Sequence, residues 1–183
     1  MVEAVPDDFK FQQAATLRDG RVATMRLMRP DDRQRLLDAF AKLDRQSVYT
    51  RFFSYRKQLP AGMLEQIEHI DLLHFAALVV TLGSGADETA IGSAGYVAST
   101  ADDGAREAEV SFTVEEDYQG QGLASQLLTA LCGIARRHGI TRFTAEVLAE
   151  NAPMHAVFQR SGLPLRTRQV GGVVHYALDL PPA

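Results

Sequence analysis

Residues 109–128 read EVSFTVEEDYQGQGLASQLL, and three patterns follow one another within them. Val110, Phe112 and Val114 alternate with Glu109, Ser111 and Thr113, the period of a strand with one apolar and one polar face. A polar loop follows and ends on Gln119-Gly120-Gln121-Gly122. Leu123, Leu127, Leu128, Leu131 and Ile134 then recur at helical spacing, so a helix is expected from Gly122 to His138 with Gly139 as its stop. A loop that runs straight into a helix collects unpaired backbone N–H groups and the positive end of the helix dipole at one point. Glycine lets a ligand approach the backbone closely, so the point suits a phosphate, but two glycines equally fit a bare turn. A nucleoside-triphosphate loop is disfavoured because no Lys follows Gly122. A dinucleotide fingerprint is disfavoured too: Ser125 holds the third glycine position, and the motif comes late in the chain after a hairpin-linked strand.

Outward from this stretch the chain alternates the two periods. Upstream, Ala23–Met28 reads as a strand broken by Pro30, and Leu36, Leu37, Phe40 and Leu43 mark a first helix. Further helices are expected over Gln46–Phe53 and Ala61–Ile70, then strands over Phe75–Thr81, Ala90–Ser99 and Glu107–Val114 linked as hairpins. Downstream, Phe143–Leu148 reads as a strand, Ala152–Arg160 as a helix, and Leu165–Val170 with Val173–Leu180 as a hairpin around Gly171-Gly172. Residues 1–16 are polar and without period, which predicts a flexible tail ahead of one α/β domain over 17–183.

Hydrophobic residues at 46% and charged residues at 23% describe an ordinary folded domain. A net charge of −4 with only short basic clusters argues against a nucleic-acid partner. No stretch approaches the roughly 18–20 apolar residues that span a bilayer, so no membrane partner is expected and a cytoplasmic location is the default. Cys132 is the single cysteine, so no internal disulfide forms, and its place on the apolar side of the long helix reads as a small buried hydrophobe. No paired-His or Cys spacing calls for a metal.

Gln119-Gly120-Gln121-Gly122-Leu123-Ala124 matches the Gln/Arg-x-x-Gly-x-Gly/Ala signature of the GNAT superfamily of N-acetyltransferases. Residues 151–163, NAPMHAVFQRSGL, resemble the Asn, aromatic and Gly-Phe motif of that family at the expected offset. The resemblance covers roughly residues 21–180, and short signals (Arg51-Phe52-Phe53, Ala108-Glu109, Asn151 to Met154) look like bacterial protein lysine acetyltransferases. On their own, Phe52 and Phe53 read as aromatics packing a helix against the core. The resemblance implies a single-domain GNAT fold, a mixed and mostly antiparallel sheet of about six or seven strands flanked by helices.

The implied activity is transfer of an acetyl group from acetyl-CoA to a primary amine, a protein lysine above all, by direct attack and without a metal. Glu109 would be the general base, with Glu146 and Glu150 as alternatives. Backbone groups of Phe112, Thr113 and Val114 would pair with the pantetheine arm, residues Gln119, Gly120, Gln121, Gly122, Leu123, Ala124 and Ser125 would take the diphosphate, and Asn151 and Phe158 would complete the cofactor site. Many family members carry Tyr where this chain has Phe158, and that Tyr protonates the leaving thiolate. The missing acid motivates the alternative reading, a non-catalytic acyl-CoA-binding sensor or regulatory module. The acceptor and the oligomeric state, a homodimer among the options, stay open.

Overall fold

The computed structural model describes residues 7–52 and 61–182, of which 7, 50–52 and 61 are described by backbone alone. The expected core packing of Phe52 and Phe53 lies outside what is described, as do residues 1–6 of the expected tail. Eight strands form one sheet: β1 (Gln12–Thr16), β2 (Val22–Leu27), β3 (Phe75–Leu82), β4 (Thr89–Thr100), β5 (Arg106–Val114), β6 (Arg142–Leu148), β7 (Leu165–Val170) and β8 (Val173–Asp179). Their order is β1-β2-β3-β4-β5-β6-β8-β7. The helices are α1 (Arg33–Lys42), α2 (Arg45–Phe52), α3 (Ala61–Ile67), α4 (Leu123–Arg137) and α5 (Ala152–Gln159).

Every neighbouring pair is antiparallel except β5–β6, whose connection runs through α4. A helical crossover is what brings two strands side by side in parallel. The sheet thus has one strand more than the upper expectation, and the addition is β1. Residues 12–16 were expected to be tail, but they pair with β2 from Gln12↔Arg26 to Thr16↔Val22. QQAAT is nearly all exposed and carries no apolar alternation, so only backbone pairing on an open edge, plus the buried Ala15, makes it a strand.

α4 packs on one face of the sheet against β4 and β5, and α5 packs beside it. Leu127, Leu131 and Ile134 of α4 are fully buried against a core that includes Val110, Phe143 and Leu178. Each such side chain contributes about 1.5–3 kcal/mol relative to exposure. α1 lies on β4 and α2 on β5 across the other face. α3 stops at Ile67, short of the expected Ile70, where Glu68 N–H and His69 N–H bond to Glu65 O and Gln66 O three residues back. That tightened last turn closes the helix ahead of β3.

Candidate active site

β5 carries the alternation that its sequence announced. Val110 is buried on the α4 side, while Glu109, Ser111 and Thr113 face a cavity of about 150 Å³ on the α1–α3 side. Met28, Leu36 and Phe40 supply apolar wall to this cavity, and Met63 of α3 closes it. One wall is therefore a polar row from a single strand and the others are mostly aliphatic or aromatic, with Gln66 and Ser93 as polar members. The helical spacing of α1 and α3 did not show this, since periodicity does not say which side of a sheet a helix covers.

β5 and β6 pair only at Glu107↔Arg142, Ala108↔Phe143 and Glu109↔Thr144. Beyond Glu109 the two strands part, while β5 stays paired with β4 as far as Val114. β6 therefore leaves the backbone edge of Phe112, Thr113 and Val114 uncovered, with Val114 O taken up by the Gln119 side chain. Glu109 sits on the last pair before the wedge, exposed to solvent. Of the alternative carboxylates, Glu146 holds His175 Nδ1 at 3.2 Å and Glu150 accepts from Gln46 Nε2 at 3.5 Å.

The wedge leads to the loop before α4. Gly120 has φ 72° with nothing near the position a Cβ would take, and Gly122, at φ 85°, is the N-cap of α4 with no side chain capping it. Left-handed backbone at both places explains glycine, because any Cβ there is strained. The first amides of α4 have no intrahelical acceptor and no side-chain one. Gln119 Nε2 donates to Val114 O at 3.2 Å and to Ser47 Oγ at 3.4 Å, tying the loop to β5 and α2. Leu123 is 1% exposed, so its side chain belongs to the core and only its backbone faces the loop.

Asn151 is the N-cap of α5, and its Oδ1 accepts from Met154 N–H at 3.2 Å. Phe158 is 1% exposed; its ring meets Phe112 edge-on at 6.0 Å and lies 4.9 Å from Tyr176. It supports Phe112 from beneath, with almost no surface of its own toward the wedge. Sequence reading missed a neighbouring pair: His155 Nδ1 lies 2.6 Å from Tyr176 Oη and His155 Nε2 lies 3.0 Å from Leu148 O. A carbonyl can only accept, so Nε2 carries the proton and Tyr176 O–H donates to Nδ1. This pair fixes α5 to the end of β6; burial raises the Tyr176 hydroxyl above its ordinary pKa.

Cys132 is 4% exposed, and burial pushes its thiol up to about 11. A thiol held in that form is a poor nucleophile. Cys132→Ala is expected to leave turnover within about twofold of wild type, and native protein should resist a thiol-labelling reagent until unfolded. Fast labelling coupled to loss of activity would contradict the buried role. Among the described residues no cluster of His, Cys, Asp and Glu could hold a metal ion, and no helix is long and apolar enough to cross a membrane.

A mostly antiparallel sheet parted at one parallel pair, with a glycine loop and uncapped helix beside the gap, is the architecture of the GNAT fold. The chain belongs to the acetyltransferase (GNAT) family, whose model matches residues 44–163. Acetyltransferase Pat of Mycolicibacterium smegmatis is 35% identical over 166 residues, 91% of this chain and 48% of that protein. The chain thus spans about half the length of that relative. The GNAT domain of S. lividans PAT superposes with a TM-score of 0.82 at 32% identity, covering 97% of this chain and 100% of that domain. The yncA protein of Salmonella typhimurium, solved with acetyl-CoA, shares the fold at a TM-score of 0.66 and 20% identity, over 88% of this chain and 94% of its own.

Proposed function

We propose that this chain transfers an acetyl group from acetyl-CoA to a primary amine, with a protein lysine as acceptor and Glu109 as general base. The observation that carries the reading is the placement of Glu109: it stands on the last β5–β6 pair, where the two strands part, and lines the cavity. Two compartments meet there. The wedge offers the backbone edge of Phe112, Thr113 and Val114 to an extended arm, as an added strand would use it. Gly120, Gly122 and the first α4 amides suit the diphosphate. From the other side, the aliphatic cavity suits the methylene stem of a lysine, whose amine then reaches the Glu109 carboxylate.

A lysine ammonium has a pKa near 10.4, so it must lose a proton before it can attack. Glu109 takes that proton, the freed nitrogen lone pair forms the C–N bond to the thioester carbon, and the nitrogen gives its second proton to water as the adduct collapses. The C–S bond breaks, and the thiolate leaves with its electron pair. Phe158 has no proton to offer, so the thiolate is protonated by water. The relatives named Pat and PAT support a protein acceptor for this chain, and the cytoplasmic setting and a single GNAT unit, which the pairing of β1 extends back to Gln12, remain part of the proposal.

The test is turnover of acetyl-CoA, read as free thiol, with lysine-containing peptides, free lysine and simple alkylamines. Acetylated lysine side chains are the expected product. Tight CoA binding with no acceptor turned over would favour the acyl-CoA-binding module instead, and absence of CoA binding would sink both.

A further inference from the structure

The end of β1 and the β1–β2 turn are tied to α4 and the loop before it at three points. Asp19 N–H donates to Gln121 Oε1 at 3.2 Å, Gln126 Nε2 donates to Thr16 O at 2.9 Å, and the Arg21 guanidinium stacks over the Tyr118 ring at 4.9 Å. The turn itself is closed by Gly20 N–H to Leu17 O at 3.0 Å and Leu17 N–H to Arg21 O at 2.9 Å, with Gly20 at φ 90°. Within this frame the two arginines differ. Arg21 is neutralised by Asp19 at 2.7 Å. Arg18 has no carboxylate partner among the described residues, and its Nε lies 4.0 Å from where a Cβ on Gly122 would stand. Its charge is carried to the α4 loop by an edge strand that the sequence reading had left in the tail.

We propose that Arg18 is a further cofactor-binding residue, which pairs with the diphosphate of acetyl-CoA seated on the α4 loop. The inference rests on the cofactor reading given above and adds a residue from outside the loop to it. A guanidinium presents a planar fork of donors that fits phosphate oxygens two at a time. The hydrogen bonds from Asp19 and Gln126 hold the turn in place before any ligand arrives, which lowers the ordering cost of binding. Arg18 is exposed at the top of a turn, so Arg18→Gln is expected to fold as wild type does.

The experiment measures kcat/KM for acetyl-CoA, acetyl-3′-dephospho-CoA and S-acetylpantetheine, which has no diphosphate, with wild type, Arg18→Gln and Arg18→Lys. In Arg18→Gln the preference for acetyl-CoA over S-acetylpantetheine should fall about tenfold, through KM and not kcat, the size of one charged hydrogen bond. Arg18→Lys should recover part of it. The same fall with the dephospho substrate supports the diphosphate; a penalty that vanishes there points to the ribose phosphate and overturns the assignment. A wild type that prefers acetyl-CoA, with Arg18→Gln unchanged, overturns the role of Arg18 and leaves the proposed function standing. A wild type that turns over S-acetylpantetheine as readily as acetyl-CoA removes the diphosphate seat and the inference together.

Discussion

Glu109→Gln should lower kcat by about 10²–10³ at neutral pH, the usual worth of a positioned base, and leave the KM for acetyl-CoA within about twofold. Gln has the shape of Glu but cannot accept a proton. Glu109 is exposed and forms no ion pair among the described residues, so its loss should not move the unfolding midpoint. The sign of the pH effect follows from the acceptor. As pH rises toward the lysine pKa of about 10.4, more amine arrives already deprotonated, and the variant's deficit should shrink about tenfold per unit. Wild type should flatten at lower pH because Glu109 removes the proton for it. Glu146→Gln, which breaks only the contact to His175, should change kcat little. If Glu109→Gln stayed within threefold of wild type across the range, no base would act from this position.

The part of the fold that was legible in the sequence is the part whose side chains repeat with one period. α4 buries the residues its spacing assigned, β5 buries Val110 and packs Phe112 and Val114 partly covered against the core, and the glycines at 120 and 122 do adopt backbone that side chains resist. β1 was illegible because an edge strand needs no apolar face; it is made by pairing with residues six to fourteen positions away. The cavity was illegible for a related reason. Leu36, Phe40 and Met63 show apolar periodicity whether they pack tightly or line a space, and only the tertiary arrangement separates the two. Arg18 lies in the turn LRDGR, which carries no motif, and is brought to Gly122 by contacts more than a hundred residues apart in sequence.

Asp32→Ala should be the most destabilising single change in the acceptor-side half, at about 3–5 kcal/mol, measured as a shift in the urea unfolding midpoint. In the structure Asp32 is 0% exposed, and its carboxylate accepts from Arg26 at 2.7 and 2.8 Å, from Arg29 N–H at 2.8 Å and from Arg35 at 3.1 Å. Arg26, itself 4% exposed, and Arg35 also meet Glu88 at 2.9 and 3.0 Å. Two arginines thus balance two carboxylates where β2, the start of α1 and the β3–β4 turn converge. Removing one carboxylate leaves a buried guanidinium short of its counter-charge, and that loss weighs against a total stability of about 5–15 kcal/mol for a typical domain. Burial would raise the Asp32 carboxyl, but the hydrogen bonds from Arg26 and Arg29 prevail and hold it below the usual range, as Arg26 does for Glu88. Carboxyls depressed in this way stabilise the fold above the ordinary carboxylate pKa, and the benefit disappears as pH falls through their folded values. Wild type should therefore weaken below about pH 4, and Asp32→Ala should weaken less over that window. Replacing Arg26 and Asp32 together by Met and Leu separates charge from packing: it should be closer to wild type than Asp32→Ala, because a well-packed apolar pair leaves no orphaned charge. Since the cluster anchors the start of α1, whose Leu36 and Phe40 wall the cavity, Asp32→Ala assayed well below its melting temperature should raise the KM for the amine more than that for acetyl-CoA. An unfolding midpoint equal to wild type would show that the four charges do not act as one buried unit.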